Sequence, residues 1–576
     1  MVMRLGEILI EKAIITPQQL EIALKEQQKR GELLGATLIK LGYLKEEQLL
    51  KVLSEQLNIP YLKLADIVID HSAIEKVPAK FAWHYKIFPI KYAAGKLTIA
   101  TFDPLRSLND VKLFLGYEVE PVLAVEDEIV KAIRKYYGVG AETVEGIIAK
   151  GAEESVSAKP VEKIEDIEKL AEDASIVKLV NQIILEAYQK RATDIHIEPY
   201  RGRLGLRYRI DGVLYEADVS PEMKRLFPAI VSRIKIMSRL NIVERRLPQD
   251  GRAVVKIGKE EIDLRISVIP TRHGEGVVLR ILPTKMLFDL EKLGLESDDL
   301  KMIETLITKP HGIIFVSGPT GSGKTTTLYA CLNKIKSTTN KIITIEDPIE
   351  YELEGISQIQ VAPEIGFTFA QGLRSMLRHD PDIMMVGEVR DFETAELAIR
   401  IALTGHLVFS TVHTNDAAGG VTRLLNIGIE PFLLASSVEA FLAQRLIRLI
   451  CPKCKQEDKT GGEIKKQILE DIAQFSQLSQ IKTDLTDLKE SDIHFYKGKG
   501  CEACNFTGFR DRTAIYEILP VNKEIKKLIL QKASTDAIKE KAISEGMKVL
   551  RLSGWKKVIA GLTTPDEVIR VTQVEE

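Results

Sequence analysis

Across 576 residues the chain balances 80 lysines and arginines against 82 aspartates and glutamates, a formal net charge of -2, with 45% apolar side chains. Such a length calls for roughly three or four globular domains, and the even charge gives no overall drive toward nucleic acid, which is not expected as a partner. The longest apolar runs are strand-length and the opening MVMRLGEILIEK carries charges where a signal peptide is apolar, so neither a membrane span nor export is expected.

The first segment repeats itself. Arg4 to Gln27 aligns with Leu33 to Gln56, and Leu5, Gly6, Leu9, Leu20, Leu24 and Gln27 recur as Leu34, Gly35, Leu38, Leu49, Leu53 and Gln56. Each unit reads as a short helix, a turn and a second helix begun by Thr16-Pro17 or Lys45-Glu46. A mixed region follows in which Lys96 to Pro104 alternates as a strand. From Ala141 to Asp173 there are ten acidic residues, four lysines and no aromatic side chain, too little apolar surface to offset the entropy of ordering, which predicts an acidic linker. An amphipathic helix over Ile176, Val177, Val180, Ile183, Ile184 and Ala187 comes next. In the alternating strand after it, Leu204, Leu206, Tyr208 and Ile210 face one way and Arg207 and Arg209 the other.

Gly318, Pro319, Thr320, Gly321, Ser322, Gly323, Lys324 and Thr325, followed by Thr326, spell a glycine-rich phosphate loop directly after the apolar run Gly312 to Val316. A strand delivers such a loop, successive backbone N–H groups cradle a β-phosphate, Lys324 reaches the β and γ oxygens, and Thr325 ligates Mg2+. The helix beginning near Lys324 adds its positive N-terminal dipole. Downstream, the strand Ile342 to Ile345 delivers Glu346, Asp347 and Glu350, and the strand Ile383 to Val386 delivers Glu388. A carboxylate in this position holds Mg2+ through water or orients the attacking water. A third strand, in HLVFSTVHTN, carries His406 and His413 at its two ends, and a pair flanking a strand beside the γ-phosphate points to phosphate sensing.

Of five cysteines, Cys331 stands alone on the helix after the loop and reads as core, whereas Cys451 with Cys454 and Cys501 with Cys504 form two CxxC pairs. Two such knuckles suit tetrahedral Zn2+ held by four thiolates, and four protein ligands leave no open position, which makes the role structural. Disulfides are the alternative, and the reducing compartment implied by the lack of an export signal counts against them. The separation of the pairs, residues 455 to 500, implies an inserted subdomain whose base they close.

Together these motifs resemble the secretion ATPase superfamily of bacterial type IV pili and type II secretion. GPTGSGKT resembles its Walker A motif, ITIEDPIE its aspartate box, DPDIMMVGEVRD its Walker B region and TGHLVFSTVHTN its histidine box. The resemblance implies a RecA-like core that hydrolyses ATP with Mg2+, with Glu350 as catalytic base, Glu388 as the Walker B glutamate, and His406 and His413 as the histidine-box pair. RATDIHIEP, RYRIDG and PQDGR are similar to the family's second N-terminal domain, a PAS-like fold that supplies arginines to a nucleotide in a homohexameric ring. Arg207 and Arg209 are the leading candidates, with Arg265 and Arg280 behind them. The paired CxxC motifs are similar to both extension and secretion members, and the ending GCEACNFTGFRDRTAIYEILPV with GLTTPDEVIRVT is most similar to pilus extension members, with type II secretion members next. The repeat resembles the cyclic di-GMP-binding form of the N-terminal domain, in which Arg4 stacks on a guanine or pairs with a phosphate and Gly6 and Gly35 permit close backbone approach. Ala13 stands where a glycine is usual, and Leu33 where the first unit has Arg4.

The expected architecture is α/β and multidomain: a helical tandem-repeat domain over 1–140, an acidic linker over 141–173, a PAS-like domain over 174–290, and a RecA-like P-loop domain over 291–576 with a zinc-binding insert, 451–504, and a C-terminal helical region. The implied function is a cytoplasmic hexameric motor, peripheral to the inner membrane through its partners, that acts on a membrane platform protein and other pilus components to insert pilin. A type II secretion motor and a cyclic di-GMP-responsive scaffold with little turnover are the competing readings.

Overall fold

The computed structural model describes residues 5–30, 33–104, 116–138, 143, 173–220, 223–282, 289–459, 462–479, 485 and 488–573. Arg4, and the acidic segment 141–173 apart from Thr143 and Asp173, lie outside the described residues. The chain divides into two compact units, residues 1–283 and 284–576. Among the described residues no helix is long and apolar enough to cross a membrane.

The first unit opens with the repeat as four helices, Leu5–Glu11, Pro17–Arg30, Leu34–Lys40 and Glu46–Leu57. Equivalent positions are buried together: Leu9 with Leu38, Ile15 with Leu44, and Ala23 with Val52 form one small core. A Cβ on Gly6 would fall 2.9 Å from Leu20 Cδ1, and one on Gly35 would fall 2.7 Å from Leu49 Cδ2. Carbon atoms at ease lie about 3.5–4.0 Å apart, so a side chain at either glycine would push the leucine of the second helix in its own repeat. Both first helices also end in the same turn, with Ala13 N–H donating to Ile10 O and Ile14 N–H to Leu9 O, as Gly42 N–H does to Ile39 O and Tyr43 N–H to Leu38 O. The turn needs a left-handed residue, φ 54° at Ala13 and 74° at Gly42. A side chain there costs about 1 kcal/mol, so only the first repeat carries this strain.

Next come β1 (Ile87–Ala93), β2 (Lys96–Thr101) and β3 (Glu118–Leu123), a sheet in which β1 is antiparallel and β3 parallel to β2. The helix Glu126–Tyr137 packs Ile129 and Ile133 into the same core. The helix Ala174–Gln189 starts at Asp173, whose carboxylate accepts the Ser175 N–H at 2.7 Å. It is followed by β4 (Ala192–Pro199), β5 (Leu204–Ile210), β6 (Val213–Ala217), the helix Met223–Met237, β7 (Gln249–Ile257), β8 (Glu260–Thr271) and β9 (Gly274–Leu282). The six strands form one sheet of order β6-β5-β4-β9-β8-β7 with every neighbouring pair antiparallel. Ile176, Val180 and Ile183 of the first helix and Ile230 of the second share a core with Leu206, Tyr208, Leu264 and Leu279 from one face of that sheet. The other face carries Arg252, Arg265, Arg280, Asp194 and Arg209 in directly opposed positions across five strands. Asp194 accepts Arg280 Nε at 3.1 Å and the Thr193 hydroxyl at 2.8 Å and faces Arg209 Nε at 3.5 Å, while Glu198 pairs with Arg207 at 2.5 Å.

The second unit is built on seven strands: β10 (Gly312–Ser317), β11 (Ile342–Glu346), β12 (Ser357–Gln360), β13 (Ile383–Val386), β14 (Leu407–Val412), β15 (Val438–Ile450) and β18 (Phe509–Pro520), in the order β12-β11-β13-β14-β10-β15-β18. All neighbours are parallel except β18, which runs antiparallel to β15. Every residue of β10 and β14 is buried, because helices cover both faces of the parallel part. The insert lies between β15 and β18. In it β16 (Lys455–Asp458) pairs with β17 (Phe495–Gly498), and the helix Gly462–Ser479 sends Ile468, Ile472 and Phe475 into the main core. Trp555 in the helix Leu550–Ile559 closes that contact by donating its Nε1–H to Asp471 Oδ2 at 2.8 Å.

Candidate functional site

Parallel strands send their following loops to one edge of the sheet, and ligands of such sheets bind there. In the second unit that edge gathers the phosphate loop after β10, Glu350 after β11, Glu388 after β13 and His413 after β14. β15 extends past it: Ser317 lies opposite Ala443, which brings Gln444 and Arg445 level with the loop. Gln444, 1% exposed, donates its Nε2–H to Ser322 O at 2.7 Å and accepts the Thr327 hydroxyl at 2.8 Å. It approaches so closely that a Cβ on Gly318 would lie 2.7 Å from Gln444 O and one on Gly323, at φ 89°, 3.1 Å from Gln444 Nε2.

Lys324 begins the helix Lys324–Ile335, with Thr325 and Thr326 half-buried behind it. Its ammonium donates to Gly318 O at 2.8 Å and Pro319 O at 3.1 Å, folded back onto the loop it serves. Burial pushes it down to about 8, with the positive Arg445 adding to the shift and Glu388 opposing it. Glu388, mostly buried, holds His413 Nε2 at 3.3 Å through one carboxylate oxygen and Arg390 at 2.5 Å through the other. Residues from separate strands, Glu388 and His413, are thus brought together within reach of the charge of Lys324.

The carboxylates after β11 separate into two kinds. Glu346 is 3% exposed and accepts hydrogen bonds from the hydroxyls of Tyr329 and Thr344 and from Gln358 Nε2. Burial raises its affinity for a proton, and those three donors only partly offset it. Glu346 is therefore a part of the core, and the sequence expectation that it competes for the metal or the attacking water is corrected. Glu350 is half-buried on the loop beyond, near enough to Glu346 to add to its shift, and the backbone N–H groups of Glu350 and Tyr351 point at the Tyr329 hydroxyl. Tyr329, on the phosphate-loop helix, therefore ties the acidic loop to the phosphate loop.

The two histidines also part company. His413 follows β14 at the loop edge, but His406 precedes it, its carbonyl accepting the N–H of Gly312 at the start of β10 and its ring Nδ1 lying 3.2 Å from Ile401 O. Six strand residues rise by roughly 20 Å, so His406 sits at the far edge of the sheet and does not face a nucleotide held by its own chain's loop. The expectation that the pair senses phosphate together is corrected for His406. Gln444, Tyr329 and Arg445 were not found from sequence; the one available signal was the Gln-Arg pair interrupting the apolar run of β15.

Cys451, Cys454, Cys501 and Cys504 bring their sulfurs within 4.8 Å of one another, with three of the separations 3.8 Å. A disulfide would need about 2.05 Å, whereas four thiolates about 2.3 Å from one Zn2+ form a tetrahedron with edges of about 3.8 Å. The set fits that ion. Backbone also ties the knuckles together, Cys451 N–H donating to Gly508 O at 2.9 Å and Lys499 N–H to Cys454 O at 3.0 Å, and the strands flanking the second knuckle meet so closely that a Cβ on Gly498 would fall 2.0 Å from Gly508 O. Phe506 N–H donates to Cys501 O at 2.9 Å and Cys454 N–H to Cys451 O at 3.3 Å, closing each turn around its sulfurs.

A family profile described as Type II/IV secretion system protein matches residues 169–570, and a second, the MshEN domain, matches residues 57–143. The Type IV pilus assembly ATPase PilB of Myxococcus xanthus is 44% identical over 571 residues, covering 98% of each chain. The Type II secretion system protein E of Xanthomonas campestris pv. campestris is 39% identical over 577 residues, covering 99% of this chain and 98% of its own. Among solved structures, the pilus retraction motor PilT with bound ADP is 26% identical with a TM-score of 0.44, over 68% of this chain and 96% of its own.

The depressed Lys324 gives a pH test. Its folded value of about 8 lies below the unfolded value of about 10.4, so the unfolded chain holds more protons between those limits and the cost of burying the charge is relieved as pH rises past 8. A polyphosphate restores the charge. Nucleoside triphosphate binding near pH 9 should therefore take up a proton, visible as a dependence of calorimetric heat on buffer ionisation enthalpy that is absent at pH 7 and lost in Lys324→Ala. Uptake that persists in that variant would place the titrating group elsewhere.

Proposed function

We propose that this chain, which belongs to the type II/IV secretion ATPase family, is the motor that drives type IV pilus extension. It hydrolyses ATP on a RecA-like core, as its family does. The observation that carries the pilus reading is its likeness, end to end, to a pilus assembly ATPase. The comparable span shared with a type II secretion ATPase keeps secretion as the second reading.

In this reading Lys324 neutralises the β and γ oxygens of ATP and Glu350 accepts the proton of the attacking water. Glu388, oriented by His413, fixes that water from the other side. Thr325 and Glu388 would hold Mg2+, which supplies further neutralisation of the triphosphate. The loop residues 318–323 supply backbone donors. Arg207 and Arg209 of one protomer serve the nucleotide of another in a homohexamer, with Arg265 and Arg280 in reserve. Their present partners Glu198 and Asp194 are surrendered as the ring forms, and sedimentation of a fully active monomer would remove this element. The motor works in the cytoplasm, against the inner membrane, through a platform protein and other pilus components. The division into 1–140, 141–173, 174–290 and 291–576 is the working unit of that motion.

In a host deprived of its own extension ATPase the chain should restore surface pili. Glu350→Gln and Glu388→Gln, which keep the phosphate-binding charge, should bind ATP yet turn over at least about a hundredfold more slowly and restore none. Restored exoprotein secretion without pili would move the assignment to the second reading.

Zn2+ on Cys451, Cys454, Cys501 and Cys504 holds the insert closed. Structural zinc is worth roughly 10–16 kcal/mol of apparent binding free energy in peptides, so Cys504→Ser should expose the amides of the helix Gly462–Ser479 to hydrogen exchange while those of β10 stay protected. Elemental analysis finding no zinc in protein purified without chelator would end this assignment.

The N-terminal repeat is read as a cyclic di-GMP element, supported by the two-fold likeness of its units, which suits a two-fold symmetric ligand. In this reading Arg4 stacks on a guanine or pairs with a phosphate, and Gly6 and Gly35 let the backbone come close to the ligand. Calorimetric titration of the full chain should give a saturable heat that Arg4→Ala weakens by about tenfold. A flat titration at tens of micromolar protein would return the repeat to partner docking.

A further inference from the structure

Arg445 belongs to no motif named so far. Its guanidinium crosses the end of β10, from β15 on one side to the residues after β14 on the other. Nη2 donates to Asn415 O at 2.9 Å and to Asn415 Oδ1 at 3.2 Å, and Nη1 donates to Gln444 O at 3.2 Å. All three acceptors are neutral. Among the described residues no carboxylate forms an ion pair with Arg445; Asp416, the nearest acid along the chain to Asn415, is paired with Lys539 at 3.0 Å. Lys324 is in the same condition, donating only to backbone carbonyls.

The loop mouth thus holds two half-buried cations that feel one another; Glu388 acts on Lys324 and Glu517 and Asp416 act on Arg445 from a distance, but among the described residues none forms an ion pair with either cation. Desolvated like charges are costly side by side, and the arrangement is relieved when an anion of high charge enters between them. A guanidinium has five N–H donors, so three hydrogen bonds leave it able to take up another acceptor. Its position selects which acceptor. Lys324 is parked on Gly318 and Pro319, the first residues of the loop, and Asn415 lies two residues beyond His413, which touches Glu388. The guanidinium therefore stands on the side of the loop where water would be held for attack.

We propose that Arg445 is an intrachain ligand of the terminal phosphate of ATP, a second cation beside Lys324 that leaves Asn415 when the γ-phosphate is present. The inference rests on the loop being the ATP site. It gives the chain a sensor of its own, in addition to any arginine from a neighbour. Asn415 adjoins Asp416, whose carboxylate accepts Gly419 N–H at 2.8 Å to cap the helix Ala417–Ile427 and reaches Lys539 of the helix Thr535–Ser544. Release of Asn415 frees that junction when ATP is bound, and hydrolysis re-engages it.

The alternative is a staple that merely fastens β15 to the end of β14. Equilibrium binding of ADP and of a non-hydrolysable β,γ-imido ATP analogue to the full chain separates the two. Arg445→Ala should weaken the analogue by about 10- to 100-fold while ADP changes by less than about threefold. Arg445→Lys should recover part of the loss. Asn415→Ala removes only the competing acceptor, so it should leave analogue binding unchanged or tighter. Equal weakening of both nucleotides, or an Asn415→Ala variant that mimics Arg445→Ala, would establish the staple and overturn the proposal. Wild-type chain that binds neither nucleotide would instead remove the ATP site beneath it.

Discussion

A single buried amide holds the phosphate loop in shape. Gln444 uses its N–H on Ser322 O and its oxygen on the Thr327 hydroxyl, one contact inside the loop and one in the first turn of the helix that follows. Those two bonds fix how the loop turns into the helix, the backbone of Gln444 leaves no room for a side chain at Gly318, and Gly323 takes the left-handed turn at φ 89°. The loop's donors are therefore arranged before a phosphate arrives, which is where preorganised electrostatic stabilisation gets its strength. Lys324, Glu388 and His413 are grouped around this frame.

Around the frame, charge is sorted by depth. Glu346 and Glu517 are almost fully buried, and burial raises the proton affinity of both. Each serves as an acceptor for structure: Glu346 for Tyr329, Thr344 and Gln358, and Glu517 for the N–H groups of Ala417 at 2.8 Å and Leu550 at 3.3 Å. The second of these joins the start of the helix Ala417–Ile427 to the start of the helix Leu550–Ile559. Glu567 is the contrasting case. Its burial would raise it, but Arg448 at 2.6 Å and Arg570 at 2.9 Å hold it down to about 2, so it remains an anion and a firm tie between β15 and the C-terminal helices. Acids that can act on a ligand, Glu350 and Glu388, lie at the open edge.

Local patterns were the legible part. The phosphate loop after an apolar strand, the alternation of Leu204 to Ile210, and the spacing of Cys451, Cys454, Cys501 and Cys504 all depend on neighbours in the chain, and the strands and sulfur cluster lie where those patterns put them. What was not legible depends on strand order and direction. His406 and His413 look equivalent in the sequence, yet a parallel strand sends one to each edge of the sheet. Glu346 and Glu350 look interchangeable until Tyr329, from another element, buries the first. Nothing beside Gly6 and Gly35 in the chain shows that the leucines fourteen positions on, Leu20 and Leu49, pack against them. Gln444 opens a Gln-Arg pair in a mostly apolar strand, and nothing local reveals what it holds.

β15 has a mechanical meaning of its own. It continues from Gln444 to Ile450, with Cys451 next in the chain, and pairs with β18, whose first residue follows the second knuckle, with one register shift between Arg448 and Ile450. The span from the amide to the first sulfur is about 23 Å of strand, a stiff rod clamped to its neighbour by ladder hydrogen bonds. A pull on the insert is not absorbed by a loop, because none lies between. The insert and the phosphate loop are thus joined by one continuous strand, with Gln444 at one end and Cys451 just past the other.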